Sequence, residues 1–211
     1  MPELTVYTCI TGLYDEIKLP GGEGFMAYVD DPGAPSSFLK QAKLLFDDST
    51  RNARMHKILS HQFVETEWSL WMDGSASLRT TPEVVFEKYR HLGDIVMFNS
   101  VEYHSVYTEA EKIIEYGYDD PQVVYRQADK YQAEGFPGDQ LTTTGCILRR
   151  HTPKVIEFNN FWWSELCAHS RRDQMSVDYA FWKLGIKPAY FEGNIWDSPD
   201  FHIHPHRQPK R

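Results

Sequence analysis

The chain has 211 residues, 41% hydrophobic and 25% charged, with a formal charge of −8 at pH 7. That length suits one sizeable core, and the composition is ordinary for a soluble globular protein. The acidic balance argues against generic nucleic-acid binding, which draws its affinity from neutralised phosphates.

Three widely spaced cysteines, Cys9, Cys146 and Cys167, show no CxxC pattern. They point to a reducing compartment and away from a disulfide framework or a cysteine zinc site. The chain opens without a basic and apolar leader, and no apolar run reaches membrane-spanning length. A cytoplasmic protein without a transmembrane segment is therefore expected.

In chain order, Leu4–Ile10 is rich in β-branched residues and ends at Thr11-Gly12, a strand running into a loop. The connector Lys18-Leu19-Pro20-Gly21-Gly22-Glu23-Gly24 lacks the spacing of a dinucleotide-binding glycine motif. Phe25–Val29 gives a second strand, and 42–46 a third extended piece. The pattern turns helical over 49–62, with Ser49 or Thr50 as cap. Trp68–Met72 is apolar on both faces, a strand inside a covered sheet, and it stops at Asp73-Gly74. Thr81-Pro82-Glu83 opens a helix with a cap, a proline and an acid.

A buried strand is predicted over 94–99, helices over 106–116 and 121–134, and a strand over 142–148. Pro153–Ala168 and 173–184 follow as helices, the latter stopped by Gly185, and 187–191 makes a last short strand. No repeat or domain linker interrupts 1–211, and 200–211 reads as an irregular histidine-bearing tail. Strands alternating with helices favour one α/β layer fold.

Four places carry chemistry. Asp73 sits where ligands bind in open α/β sheets, beyond the carboxyl end of a strand; it meets a ligand or metal there, or merely caps a turn. Arg51, Arg54 and Lys57 recur at threes on one helical stripe, which suits a diphosphate or a solvated face. Ser170-Arg171-Arg172-Asp173-Gln174 lies at a helix start, with Asp173 placed to cap it, and also makes an anion- and hydroxyl-binding surface. His202, His204 and His206 alternate in an extended segment and project to one side, as metal ligands or as a surface cluster.

The order Arg51-Asn52-Ala53-Arg54…Lys57, Trp71-Met72-Asp73-Gly74, Thr144-Gly145-Cys146, Arg172-Asp173-Gln174 and a histidine tail resembles a glycosyltransferase-like family. That family holds plant mucilage-polysaccharide and ceramidase-labelled proteins with bacterial capsule-locus relatives. The resemblance runs from Val6 to about His206. It implies a single GT-A domain, a Rossmann-like mixed sheet flanked by helices that binds a nucleotide-diphosphate sugar. The layout is similar to that of glycogenin-like transferases.

By that resemblance Asp73 matches the first acid of an Asp-x-Asp metal motif, with Ser75 in place of the second. One of His202, His204 and His206 serves as the late ligand of a divalent ion, Mn2+ or Mg2+, with His204 preferred. Arg51, Arg54, Lys57 and Arg172 correspond to cations on the donor, and Thr8, Thr11, Tyr14 and Asp15 lie where such folds bind the nucleoside. Asp173 and Gln174 hold the sugar near its reacting carbon. A retaining reaction is implied; an inverting one needs a base, for which Asp173 and Glu102 are candidates. The acceptor is a glycan, lipid, protein or modified nucleic-acid base. The alternative is a catalytically weak nucleotide-sugar or glycan-binding protein of the same fold.

Overall fold

A computed structural model of the chain describes residues 3–34, 36–101 and 104–206. The strands are β1 (Leu4–Ile10), β2 (Phe25–Val29), β3 (Leu39–Gln41), β4 (Trp68–Met72), β5 (Ala76–Leu78), β6 (Ile95–Asn99), β7 (Thr142–Arg150), β8 (Ala189–Tyr190) and β9 (Phe201–Ile203). The helices are α1 (Ser49–Ile58), α2 (Pro82–Tyr89), α3 (Val106–Glu115), α4 (Pro121–Ala133), α5 (Pro153–Ala168) and α6 (Gln174–Leu184). Seven strands form one sheet in the order β3-β2-β1-β4-β7-β6-β8, and β5 pairs with β9 in a small second sheet. This is the α/β layered architecture that the alternating pattern predicts.

Strand β1 pairs parallel with both β2 and β4, whereas β7 enters antiparallel between β4 and β6. The chain moves outward from β1 through β2 to β3, then returns to place β4 on the other side of β1. That reversal opens a crevice beyond the carboxyl ends of β1 and β4, the usual ligand position in such sheets.

Register keeps the two faces distinct. Val6, Leu70 and Leu148 lie side by side, as do Tyr7, Trp71 and Ile147. The first set packs with Val85, Phe86 and Tyr89 of α2; the second packs with Phe158 and Trp162 of α5. All five residues of β4 are buried, as a strand covered on both faces requires. Trp71 is among the largest buried side chains, and truncating it to alanine would cost about 3–5 kcal/mol.

Helix starts follow the predicted chemistry: Thr81, Asp120 and Thr152 cap helices whose first position is proline. Helix α1 departs from it. Asp48, rather than Ser49 or Thr50, accepts the N–H of Thr50, and the helix breaks at Leu59 into a 3-10 turn at Ser60–Gln62. The third strand falls on Leu39–Gln41, ahead of the predicted 42–46, because Asn52 takes the Leu45 and Phe46 N–H groups out of reach of a ladder. Phe201–Ile203, within the stretch expected to be irregular, pairs with β5.

Candidate functional site

The crevice is a cavity of about 410 Å³. Four ionic side chains meet in its floor. Lys57 Nζ lies 2.7 Å from Asp173 Oδ2 and 3.1 Å from Asp73 Oδ1, and it donates to Thr144 Oγ1 at 3.1 Å. Arg54 Nε lies 3.0 Å from Asp173 Oδ1, and Arg54 Nη1 lies 3.6 Å from Asp73 Oδ1. The Arg54 Nε–H forms no hydrogen bond within that distance, so the Asp173 contact is an ion pair alone. Two cations from one helix therefore hold two carboxylates that are 100 residues apart in the chain.

Each element has a reason to deliver its residue. Asp73 ends β4, where its N–H donates to the Gly145 carbonyl of the neighbouring β7 at 2.8 Å. Its Oδ1 also accepts from Trp71 Nε1 at 2.8 Å, and the side chain is 29% exposed. The ion pairs and the Trp71 hydrogen bond of the carboxylate all fall on Oδ1, which leaves Oδ2 for the cavity that Asp73 lines; the side chain does not simply cap a turn. Helix α1 brings Arg54 and Lys57 on the stripe that their spacing predicts. Its far end is gripped by the buried Arg149, which donates to the Ile58 and Lys57 carbonyls, to Asn159 and to Tyr7.

Asp173 does not act as the expected helix cap. It sits at the N-cap position in right-handed helical geometry with no side-chain cap hydrogen bond, because Lys57, Thr144 and Arg54 occupy both oxygens. Burial by itself would raise this carboxyl, and that is the largest single effect. Arg54, Lys57 and Arg172 together outweigh it and hold the group well below the usual carboxylate range.

Of the other predicted site residues, Thr11, Tyr14, Asp15, Ser75, Arg172, Gln174 and His206 line this cavity. Thr11 Oγ1 donates to the Ser49 carbonyl at 2.6 Å, and His206 Nδ1 lies 2.9 Å from Asp15 Oδ2, with its ring near Tyr14. Arg172 lies over the Tyr118 ring at 5.0 Å.

Several expectations are not met. Lys57 is 0% exposed and lies beneath the cavity wall, so it holds the two acids instead of reaching a diphosphate. Thr8 is buried away from the cavity, and Arg51 donates to the Leu166 and His169 carbonyls. Of the three tail histidines only His206 lines the cavity with Asp73. His204 Nε2 bonds Ser77 Oγ at 2.8 Å, His202 Nδ1 accepts from Arg79, and neither lines the cavity. Ser77 of β5 and Arg79 just after it hold these rings at the second sheet. Glu102 lies outside the described residues.

The reading of residue types missed Trp71 as a hydrogen-bond donor, and missed Asn194, Ile195 and Trp196 on the cavity wall. No local pattern marks those three, since a loop's position depends on the strands it joins. Thr144 was visible only as part of a motif without a role.

The cavity's floor can bind an anion. Arg54 and Arg172 line it, Lys57 backs it, and Gln174 opens α6 with the positive end of its backbone dipole at the wall. A divalent ion fits less well. Asp73 offers one oxygen while Lys57 and Arg54 crowd the other, and no group of three His, Cys, Asp or Glu among the described residues is spaced to hold a metal. No helix among the described residues is long and apolar enough to cross a membrane, and the three cysteines are free.

Residues 38–200 match the family model described as TOD1/MUCI70, glycosyltransferase-like domain. The chain is also similar to the "Probable hexosyltransferase MUCI70" of Arabidopsis thaliana, 29% identical over 156 residues. That alignment takes in 68% of this chain but only 27% of the plant protein's length. Among solved structures, the crystal structure of a glycosyltransferase involved in the glycosylation of the major capsid of PBCV-1 aligns with a TM-score of 0.47 and 10% identity, over 90% of this chain and 81% of that one.

Proposed function

This chain belongs to the TOD1/MUCI70 glycosyltransferase-like family, and from that premise we propose that it moves a sugar, by analogy with the plant relative a hexose, from a nucleoside-diphosphate donor to a hydroxyl acceptor. One observation carries the reading: Arg54, Lys57, Asp73 and Asp173 converge in the cavity beyond β1 and β4. Breaking a glycosyl–phosphate bond leaves extra negative charge on the departing diphosphate. Cations fixed in a partly dry site stabilise that charge as it develops, without reorganising at the moment of reaction.

Arg54 and Arg172 are the side chains in position to do this, and Lys57 keeps Arg54 and the two acids in register. Asp73 Oδ2 and the Gln174 amide, which makes no hydrogen bond of its own among the described residues, suit sugar hydroxyls. Asp173 is 3% exposed and fully ion-paired, which makes it a positioning residue. Its depressed pKa also makes it a poor base for an acceptor hydroxyl.

The donor set does not suit a protein-held metal, so charge neutralisation is assigned to the arginines. The test is a thermal-shift screen of nucleoside diphosphates and their sugars, with EDTA or with Mn2+, followed by product analysis. A ligand at 100 times its Kd stabilises the folded state by about 2.7 kcal/mol. We expect one nucleobase to give such a shift in EDTA, and Arg54→Gln to abolish it. No shift with any nucleoside diphosphate overturns the donor reading. A shift or turnover seen only with Mn2+ overturns the metal-free arrangement and returns the ion to Asp73.

A further inference from the structure

Away from its ionic floor the cavity changes character. Asn99 and Val101 at the end of β6, Tyr116 after α3, and Asn194 and Trp196 also line it. Two of these are large rings left in solvent: Trp196 is 61% exposed and Tyr116 is 53% exposed. A single exposed aromatic needs no explanation, but two on the wall of one cavity do.

Trp196 is not exposed because its loop is loose. Asn194 Oδ1 accepts from the N–H groups of Trp196 and Asp197 at 2.9 and 3.0 Å, closing a tight turn. Gly193 sits at φ +76°, and a Cβ there would lie 2.6 Å from the Asp197 carbonyl oxygen. Ile195 drops into the sheet-side core against Gly145, where an added Cβ would lie 2.6 Å from its Cδ1. Below the turn, Asp200 is held by Lys88 at 2.9 Å and by Tyr89 at 2.5 Å. The chain thus fixes the backbone on both sides of the indole, yet the ring touches no other aromatic ring among the described residues. Exposing it gains nothing for the fold.

A flat apolar plate beside amide side chains matches a pyranose, which presents C–H groups on its faces and hydroxyls around its edge. A nucleic acid would also stack, but its phosphates need free cations. Arg54 and Arg172 in the cavity are taken by the donor reading, Lys112 beside the rings is ion-paired with Glu115 at 2.6 Å, and the chain carries −8 overall. A lipid would need a continuous apolar strip, which the asparagines interrupt.

We propose that Trp196, together with Tyr116, forms an acceptor subsite for a neutral saccharide, beside the donor floor. This rests on the transferase reading, and its test can fail separately. Binding is measured without nucleotide, by tryptophan fluorescence and heteronuclear NMR of the indole N–H, against neutral hexose and pentose oligosaccharides. Single-stranded DNA, uronic-acid oligosaccharides and phosphatidylcholine vesicles serve as the other arms. At least one neutral oligosaccharide should bind, at least tenfold more weakly to Trp196→Ala, with partial recovery in Trp196→Tyr. The nucleoside-diphosphate thermal shift should be the same in all three proteins.

Saccharide binding that Trp196→Ala leaves unchanged overturns the proposal. So does tighter binding of DNA, of an acidic glycan or of vesicles than of any neutral saccharide, or no saccharide binding at millimolar concentration. Loss of the nucleotide shift in Trp196→Ala also overturns it, because the ring would then be supporting the donor floor.

Discussion

Replacing Lys57 by methionine tests whether the ionic floor is as interdependent as its geometry indicates. The ammonium is fully buried, 2.7 Å from one carboxylate and 3.1 Å from another. At an effective dielectric constant near 20, those two attractions are roughly 6 and 5 kcal/mol. Removing three charges from water and the nearby Arg54 charge offset most of that gain. What the mutation exposes is the cost of leaving buried acids short of a cation, about 3–5 kcal/mol.

Urea unfolding at pH 7 should therefore show Lys57→Met less stable by that amount, with an unchanged m-value. The pH dependence has a defined sign. Asp173 has a depressed folded-state pKa, so the stability it contributes is present above its ordinary value of 3.8 and is lost as pH falls through the folded value. The gap between wild type and variant should hold from pH 7 to about 5 and narrow below about 4. Adding Asp173→Asn to Lys57→Met should recover part of the loss. A loss under about 1 kcal/mol, or strict additivity of the two substitutions, would refute the reasoning, because either shows that the two groups do not support each other.

Other substitutions probe separate supports. Thr144→Val removes a hydroxyl that bridges Lys57 and Asp173, and should cost about 1–2 kcal/mol in the same unfolding assay. Asp178 is buried against Thr142, and burial pushes its carboxyl up to about 6 despite two hydrogen bonds from Thr142. The folded state then holds a proton that the unfolded chain releases, so stability should fall by ~2–4 kcal/mol as pH rises from 4 to above 6. Asp178→Asn should flatten that slope, as the Thr142 hydroxyl can turn to accept from the new amide. Gly193→Ala forces a Cβ onto the Asp197 carbonyl at positive φ, and should cost about 1–3 kcal/mol while weakening saccharide binding more than nucleotide binding.

What the chain declares locally and what it does not follow from how each signal arises. The strand Trp68–Met72 and the helices Pro153–Ala168 and Pro121–Ala133 were legible because burial pattern and capping chemistry are written within a few residues. The strands Ala76–Leu78 and Phe201–Ile203 were not, since each is three residues long and its partner lies over a hundred residues away. Arg54 and Lys57 share a stripe by spacing alone. Whether that stripe faced water or the interior depended on Asp173 and Thr144, which arrive from β7 and α6. The capping role read for Asp173 failed for the same reason: a helix start offers weak backbone N–H partners, and two buried cations compete for the carboxylate.

The floor and the wall meet at Gly145. Its carbonyl accepts the Asp73 N–H, its missing side chain gives Ile195 room, and a Cβ there would stand 3.7 Å from Asp73 Oδ2. Gly145→Ala must displace the Cδ1 end of Ile195, the residue before Trp196, and it places a methyl in van der Waals contact with Asp73 Oδ2. Overpacking of this kind costs about 1–3 kcal/mol. This variant should thus weaken nucleoside-diphosphate and saccharide binding together, whereas Arg54→Gln weakens only the first and Trp196→Ala only the second. Crystal structures or NMR shifts of Gly145→Ala should show Ile195 displaced. If Ile195 keeps its place and only one of the two ligands is affected, the floor and the wall are not coupled through this glycine, and the two halves of the cavity act as independent sites.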